Sequence, residues 1–232
     1  MGAVTADGFA AYADGVDDPR FTEWLRARSE PAWSDAVEHP FTRALADGSL
    51  DTDAFASYLQ QDYAFVDALV SAFGYAVGQA PTIEAKRPLV EFLDTLTDAE
   101  NDYFERSFEA LDVSPIDDGE RTETTSALVD LLGRASREGG YAETLAVLVP
   151  AEWIYESWAR GIDGSELPFY YSEWVELHAL PSFVEFVAWL RGQLDAIGPT
   201  LSKRRQDRVD RLFARTVALE VAFFDDHYGG DA

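Results

Sequence analysis

The amino-acid sequence predicts an all-α protein, a bundle of antiparallel helices. Apolar residues recur at intervals of three and four along almost the whole chain. No segment alternates apolar and polar residues long enough to make a useful strand, and there is no internal repeat. Prolines, glycines and short capping residues fall between the periodic stretches, where helices start and stop. The 232 residues are 47% hydrophobic, which is ample for one large core and a single domain.

Taken in order, residues 1 to about 17 are small and acidic and read as a frayed end, leaving 18–230 as the domain. Phe21 to Ser29 reads as the first helix, and Pro31 opens a second towards Leu45. Ala46-Asp-Gly-Ser-Leu is a turn, after which Asp51 or Thr52 caps a helix through Phe55, Tyr58, Leu59, Phe65, Val66, Leu69 and Phe73. Pro81 or Thr82 starts a long helix through Phe92, Leu96, Tyr103, Phe104 and Leu111. Ser114 to Gly119 is a loop; Thr122 to Arg137 is helical and stops at Gly139-Gly140. Tyr141 to Ala159 forms a very apolar helix, followed by a loop from Gly161 to Pro168. Tyr170 to His178 is a short helix, Pro181 begins the next, to about Asp195, and Pro199 begins the last.

Three carboxylates interrupt these apolar faces. Asp62 lies midway between Leu59 and Phe65 on its stripe. Glu220 shares a face with Phe213, Thr216, Val217 and Phe224, and Glu152 one with Leu145, Leu148, Val149 and Tyr155. A lone carboxylate on a stripe most often sits at its edge, reaching water or an arginine. Three together, each beside aromatic residues, point to a shared interior site. Burial would raise their pKa values and suit them to acid–base work, and carboxylates can also bind metal.

Composition narrows the chemistry. There is no cysteine, so disulfides, thiolate metal sites and cysteine nucleophiles are excluded. Di-iron bundles need Glu-x-x-His pairs, and the residues three before His39, His178 and His227 are Ala36, Val175 and Phe224. No phosphate-binding glycine loop or serine triad is indicated, and no metal or other cofactor is expected. A haem ligand at His39 is possible in principle, but a histidine beside Pro40 more often caps a helix. His178 reads equally as a ring lining a pocket or as a residue at a helix C-terminus. The net charge of −25, with Lys86 and Lys203 the only lysines, argues against nucleic acid and suits a salty cytoplasm and a halophilic source. No signal peptide or transmembrane stretch is seen, so no membrane partner is expected and the chain is expected in the cytoplasm.

Several segments resemble the TenA/thiaminase II family: Phe21-Thr-Glu-Trp-Leu, Trp33, Glu38-His-Pro-Phe-Thr-Arg-Ala-Leu-Ala-Asp-Gly-Ser-Leu, Tyr58-Leu-Gln-Gln-Asp-Tyr, Ala146 to Tyr155, Tyr171-Ser-Glu-Trp-Val-Glu-Leu-His-Ala and Leu219-Glu-Val-Ala-Phe-Phe. The resemblance runs from about Phe21 to Tyr228. It implies the haem-oxygenase-like helical fold without haem, a homotetramer, and a pocket for the 4-amino-2-methylpyrimidine ring of thiamin and its breakdown products. By position, Asp62 resembles the aspartate that binds the ring's amino group and neighbouring nitrogen. Glu220 resembles the family's acid/base glutamate, and Phe65, Tyr155 and Phe223 its pocket aromatics.

Three positions depart from the family pattern. Ala151 stands where the best-known branch has its nucleophilic cysteine, Leu128 where an aromatic is expected, and His178 where a pocket tyrosine is expected. The chain is therefore similar to the cysteine-less branch, whose members resemble aminopyrimidine or formylaminopyrimidine hydrolases, with Glu152 and Glu220 as the catalytic residues and Asp62 as the anchor. The alternative is a non-catalytic pyrimidine-binding or regulatory protein. A cofactor-free oxidase on the same scaffold would want several histidines and arginines in the pocket, which three histidines supply poorly.

Overall fold

The computed structural model describes residues 8–162 and 166–229. Among these, twelve α-helices and two 3-10 turns occur, with no strand. The helices are α1 (Phe9–Ala13), α2 (Phe21–Arg28), α3 (Ala32–Val37), α4 (Pro40–Asp47), α5 (Thr52–Gln79), α6 (Ile83–Thr97), α7 (Ala99–Leu111), α8 (Glu123–Glu138), α9 (Tyr141–Ala159), α10 (Phe169–Ala179), α11 (Pro181–Ile197) and α12 (Lys203–His227). This is the expected all-α bundle.

Its centre is α9. Of its residues only Ser157 escapes full burial, and α12, α11, α8, α5 and α10 all pack against it. A helix that is apolar all round has no solvent face to offer and becomes the axis of the bundle. Three glutamates are nonetheless buried along it. Glu143 accepts from both Arg205 Nε (3.0 Å) and Nη2 (2.6 Å) and from the Gly140 amide. Glu156 pairs with Arg160. Glu152 makes no such pair.

The longest helix, α5, begins at Asp51, whose carboxylate accepts from the amides of Asp53 and Ala54 at 3.0 and 3.1 Å. Thr82 and Thr122 cap α6 and α8 in the same way, through the amides of Ala85 and Thr125. Each such cap contributes about 1 kcal/mol. The close crossing of α2 and the turn after α11 depends on Gly198, where a Cβ would lie 2.2 Å from the Phe21 ring.

Four boundaries differ from the sequence reading. The stretch after Pro31 is two helices, because His39 and Pro40 break it: the His39 ring Nδ1 accepts from the Phe41 amide (3.1 Å) and Pro40 takes the first helical position. His39 is therefore a capping residue. The stretch from 82 to 111 also divides, at Asp98, whose φ of −114° and ψ of −84° leave the helical region. The last helix starts at Lys203, since Gly198–Thr200 forms a 3-10 turn. Finally, a short helix appears in the segment read as a frayed end; Phe9 is buried there, with ring centroids 5.2 Å from Phe21 and 6.0 Å from Trp24. Part of the loop read between Gly161 and Pro168 lies outside the described residues.

Candidate active site

Asp62 on α5, Glu152 on α9 and Glu220 on α12 are 2%, 6% and 1% exposed. Each keeps one buried carboxyl oxygen (Asp62 Oδ2, Glu152 Oε1, Glu220 Oε1) with no hydrogen-bond partner. Leaving such an oxygen unpaired costs about 1–3 kcal/mol, more if it is charged. One instance is an ordinary imperfection of a core. Three on carboxyls whose charges act on one another, in a helix system that pairs Glu143 and Glu156, make these residues the candidate site.

The carboxyls sense one another. Burial raises Asp62 well above the usual carboxylate range, and the charges of Glu100 and Glu220 raise it further. Glu152 is raised by burial and then by Glu100, Glu220 and Asp62. Burial pushes Glu220 up to about 8, and Glu100 likewise to about 8. At neutral pH the set holds protons that ordinary carboxylates would have lost, and so can supply acids.

Glu100 was missed in the sequence reading. It sits in the first turn of α7, directly after the break at Asp98. The signal was present, since Leu96, Tyr103 and Phe104 lie four before, three after and four after it on one helical face. That is the criterion that singles out Asp62.

Asp62, Glu100 and Glu152 line a small cavity together with Phe65, Tyr155 and His178, and Ala151 forms part of its wall. No lysine or arginine lines it among the described residues. The cavity holds only about 20 Å³, room for a single water. It is not ring-sized in this closed form. Beyond Glu100 and His178 it meets an outer cleft of about 450 Å³ between α6, α10 and α11, walled by Phe92, Phe183, Phe186 and Trp189. A cleft of that size suits a small molecule.

The aromatic residues form two layers. Tyr155 lines the cavity, and its hydroxyl lies 2.9 Å from that of Tyr58. His178 packs on Tyr155 and Trp174 at centroid distances of 4.9 and 4.4 Å. Its Nδ1 lies 2.8 Å from the Trp174 carbonyl, so Nδ1–H donates and Nε2 is left as an acceptor. Burial lowers its pKa to about 4 and keeps it neutral. His178 is thus both a pocket ring and a residue of the last turn of α10. Phe223 is not in the wall; it packs behind, on Tyr58 (5.4 Å) and His227 (5.1 Å). Glu220 is also outside the wall and acts on Asp62 and Glu152 through its charge. Leu128 is buried and does not line the cavity. Among the described residues no group of three or more His, Asp or Glu side chains is arranged to hold a metal ion.

The central helix of the bundle thus carries an unpaired glutamate into an acidic, aromatic, cysteine-free pocket. The chain belongs to the TENA/THI-4/PQQC family, whose model matches residues 26–230. It is 25% identical over 213 residues to the aminopyrimidine aminohydrolase of Halalkalibacterium halodurans, covering 90% of this chain and 95% of that one. The fold is that of a TenA homologue from Pyrococcus furiosus (TM-score 0.81, 22% identity, 90% of this chain and 100% of that chain). A TenA homologue from P. horikoshii OT3 is similar in structure (TM-score 0.78, 24% identity, 90% and 98%).

Proposed function

We propose that this protein is a thiamin-salvage hydrolase that uses water to cleave an exocyclic C–N bond on a 4-amino-2-methylpyrimidine fragment. The observation that carries the reading is the set of unpaired carboxyl oxygens on Asp62 and Glu152 in the cavity wall and on Glu220 behind it, where Ala151 leaves no thiol. The relative named as an aminopyrimidine aminohydrolase supports the substrate class.

An aminopyrimidine presents a donor and an acceptor on one edge, and a carboxyl group answers both. Asp62 is assigned that edge, with Phe65, Tyr155 and His178 against the ring faces. One of Glu152 and Glu220, ionised, takes a proton from water as its oxygen bonds to the exocyclic carbon. The other, protonated, gives its proton to the departing nitrogen as the C–N bond breaks. The order of the two glutamates is left open. Because the inner cavity holds about 20 Å³, the ring enters from the outer cleft and the wall widens around it. The net charge of −25 and the scarcity of lysine support a salty cytoplasm as the protein's setting, and the family resemblance implies a homotetramer.

The test is turnover by the purified protein in molar KCl. The aminomethyl pyrimidine, its formyl derivative and thiamin are supplied in turn, and pyrimidine products and ammonia are followed by chromatography and a coupled assay. Release of hydroxymethyl- or aminomethyl-pyrimidine is expected. Tight binding of all three without product would overturn the reading in favour of a non-catalytic binding protein.

A further inference from the structure

The hydrolysis proposed above leaves a proton imbalance in a nearly closed space. The base carboxylate ends the step protonated and the acid carboxyl ends it ionised. Before the next turnover one proton must leave the first and one must reach the second. Water, bulk buffer or a titratable side chain has to carry them, and the cavity has room for one water.

We infer that Glu100 is the proton-relay residue of this site, passing protons between the buried carboxyls and the solvent of the outer cleft. Glu100 and His178 are the two residues that line both the inner cavity and the cleft. His178 is a poor carrier: its Nδ1–H is committed to the Trp174 carbonyl, and taking a second proton is opposed by burial. Glu100 carries no such committed hydrogen bond. It is half-buried, and among the described residues no salt bridge ties its carboxyl down.

Its surroundings hold it near neutrality. Asp62 faces it from α5, Glu152 from α9 and the neutral His178 from α10, with Glu91 on α6 and Glu185 on α11 across the cleft. All the ionisable carboxyls among these are acidic, and none supplies a positive charge. Burial pushes Glu100 up to about 8, so it both gains and loses a proton at working pH. The coupling runs both ways, since the Glu100 charge raises Asp62 and Glu152 more than that of Glu220 does. In the relay Glu100–COOH gives its proton to the spent acid carboxylate and regains one from the solvent of the cleft; it then loses that proton to the cleft, and its carboxylate takes up the proton held by the base carboxyl. Covalent bonds elsewhere are untouched and the charge balances.

This inference rests on the hydrolase reading, and its test separates the two. Steady-state kinetics with the aminomethyl pyrimidine are compared for wild type, Glu100→Gln and Glu100→Asp in dilute buffer and with increasing imidazole. The helical circular dichroism of each variant is recorded. The glutamine variant is expected to lose at least about tenfold in kcat with KM within about twofold, and imidazole should restore most of the loss in a saturable way. The aspartate variant should be intermediate, with the same rescue. Unchanged kcat, a loss confined to KM, or a folded variant that no buffer rescues would overturn the relay. Absence of any pyrimidine product from the wild-type protein with the aminomethyl pyrimidine, its formyl derivative and thiamin alike would instead overturn the hydrolase reading itself.

Discussion

Replacing Glu220 by glutamine should change the pH dependence of stability in a way that can be worked out beforehand. Glu220 is 1% exposed and its pKa rises from 4.5 to about 8 on folding. The folded state therefore holds this proton more tightly than the unfolded chain does. Stability from the group is fully present below about pH 4.5 and is lost as pH rises towards 8. Each pKa unit corresponds to about 1.4 kcal/mol, so the loss between pH 5 and pH 9 has a ceiling of roughly 4 kcal/mol. Water entering around the ionised group relieves part of this, leaving about 2–4 kcal/mol. Glutamine keeps the shape and a donor but cannot ionise. Glu220→Gln should match wild type within about 1 kcal/mol at pH 5 and exceed its stability by about 2–4 kcal/mol at pH 9. Urea unfolding at both pH values, at constant KCl, gives the comparison directly. Parallel pH curves for the two proteins would refute the reasoning, because they would mean that Glu220 is ionised in the folded state at no cost.

Other expectations follow from the same geometry. Asp62→Asn and Glu220→Gln should each lower turnover by roughly a hundredfold or more, with the Asp62 variant also losing pyrimidine affinity in calorimetry. Arg205→Ala leaves Glu143 inside the bundle with only the Gly140 amide, and should cost about 1–2 kcal/mol at pH 7 but little at pH 3, as read by urea midpoints. The sign follows because the pair lowers the Glu143 pKa, so its stabilisation is present at high pH and lost in acid. Gly198→Ala forces a methyl against the Phe21 ring and should lower stability by about 1–3 kcal/mol in the same assay. With a net charge of −25, the melting temperature should climb as KCl is raised from low salt, and a flat response would contradict the screening argument.

The sequence carried a large share of the fold because helical periodicity is local. Tyr141–Ala159 was readable to the residue, since Gly140 and the following loop bracket an unbroken apolar run. Breaks inside a continuing pattern were not readable. The apolar phase runs on across Asp98, so nothing local reports the change in backbone direction there. At His39 the cap competes with a pattern that continues into Leu45. Within the site, Asp62 and Glu152 were legible as carboxylates on apolar faces, and both line the cavity. Glu220 was legible by the same rule but stands behind the wall. Glu100 obeyed the rule and was lost in a polar-looking stretch, Thr97 to Asp102. Phe223 shows the limit of positional reasoning: a stripe assigns a residue to the core but not to the layer of the core that meets a ligand. The pairing of Glu143 with Arg205 spans 62 residues of sequence and depends on how α9 and α12 pack, which no local pattern encodes.

The break at Asp98 has a consequence for how such a site can diversify. Asp62, Glu152 and Glu220 are carried by α5, α9 and α12, the long helices on which the bundle is built, and moving any of them disturbs the core. Glu100 alone hangs from a joint between two shorter helices near the surface. Inserting or deleting a residue around Thr97–Ala99 would rotate α7 by about 100°, and would turn Tyr103 and Phe104, both fully buried, out of the core along with Glu100. Substitution at position 100 itself, half-buried at the start of α7, is the change by which a lineage, or a designer, can exchange the fourth functional group of this pocket and keep the core of α7 in place.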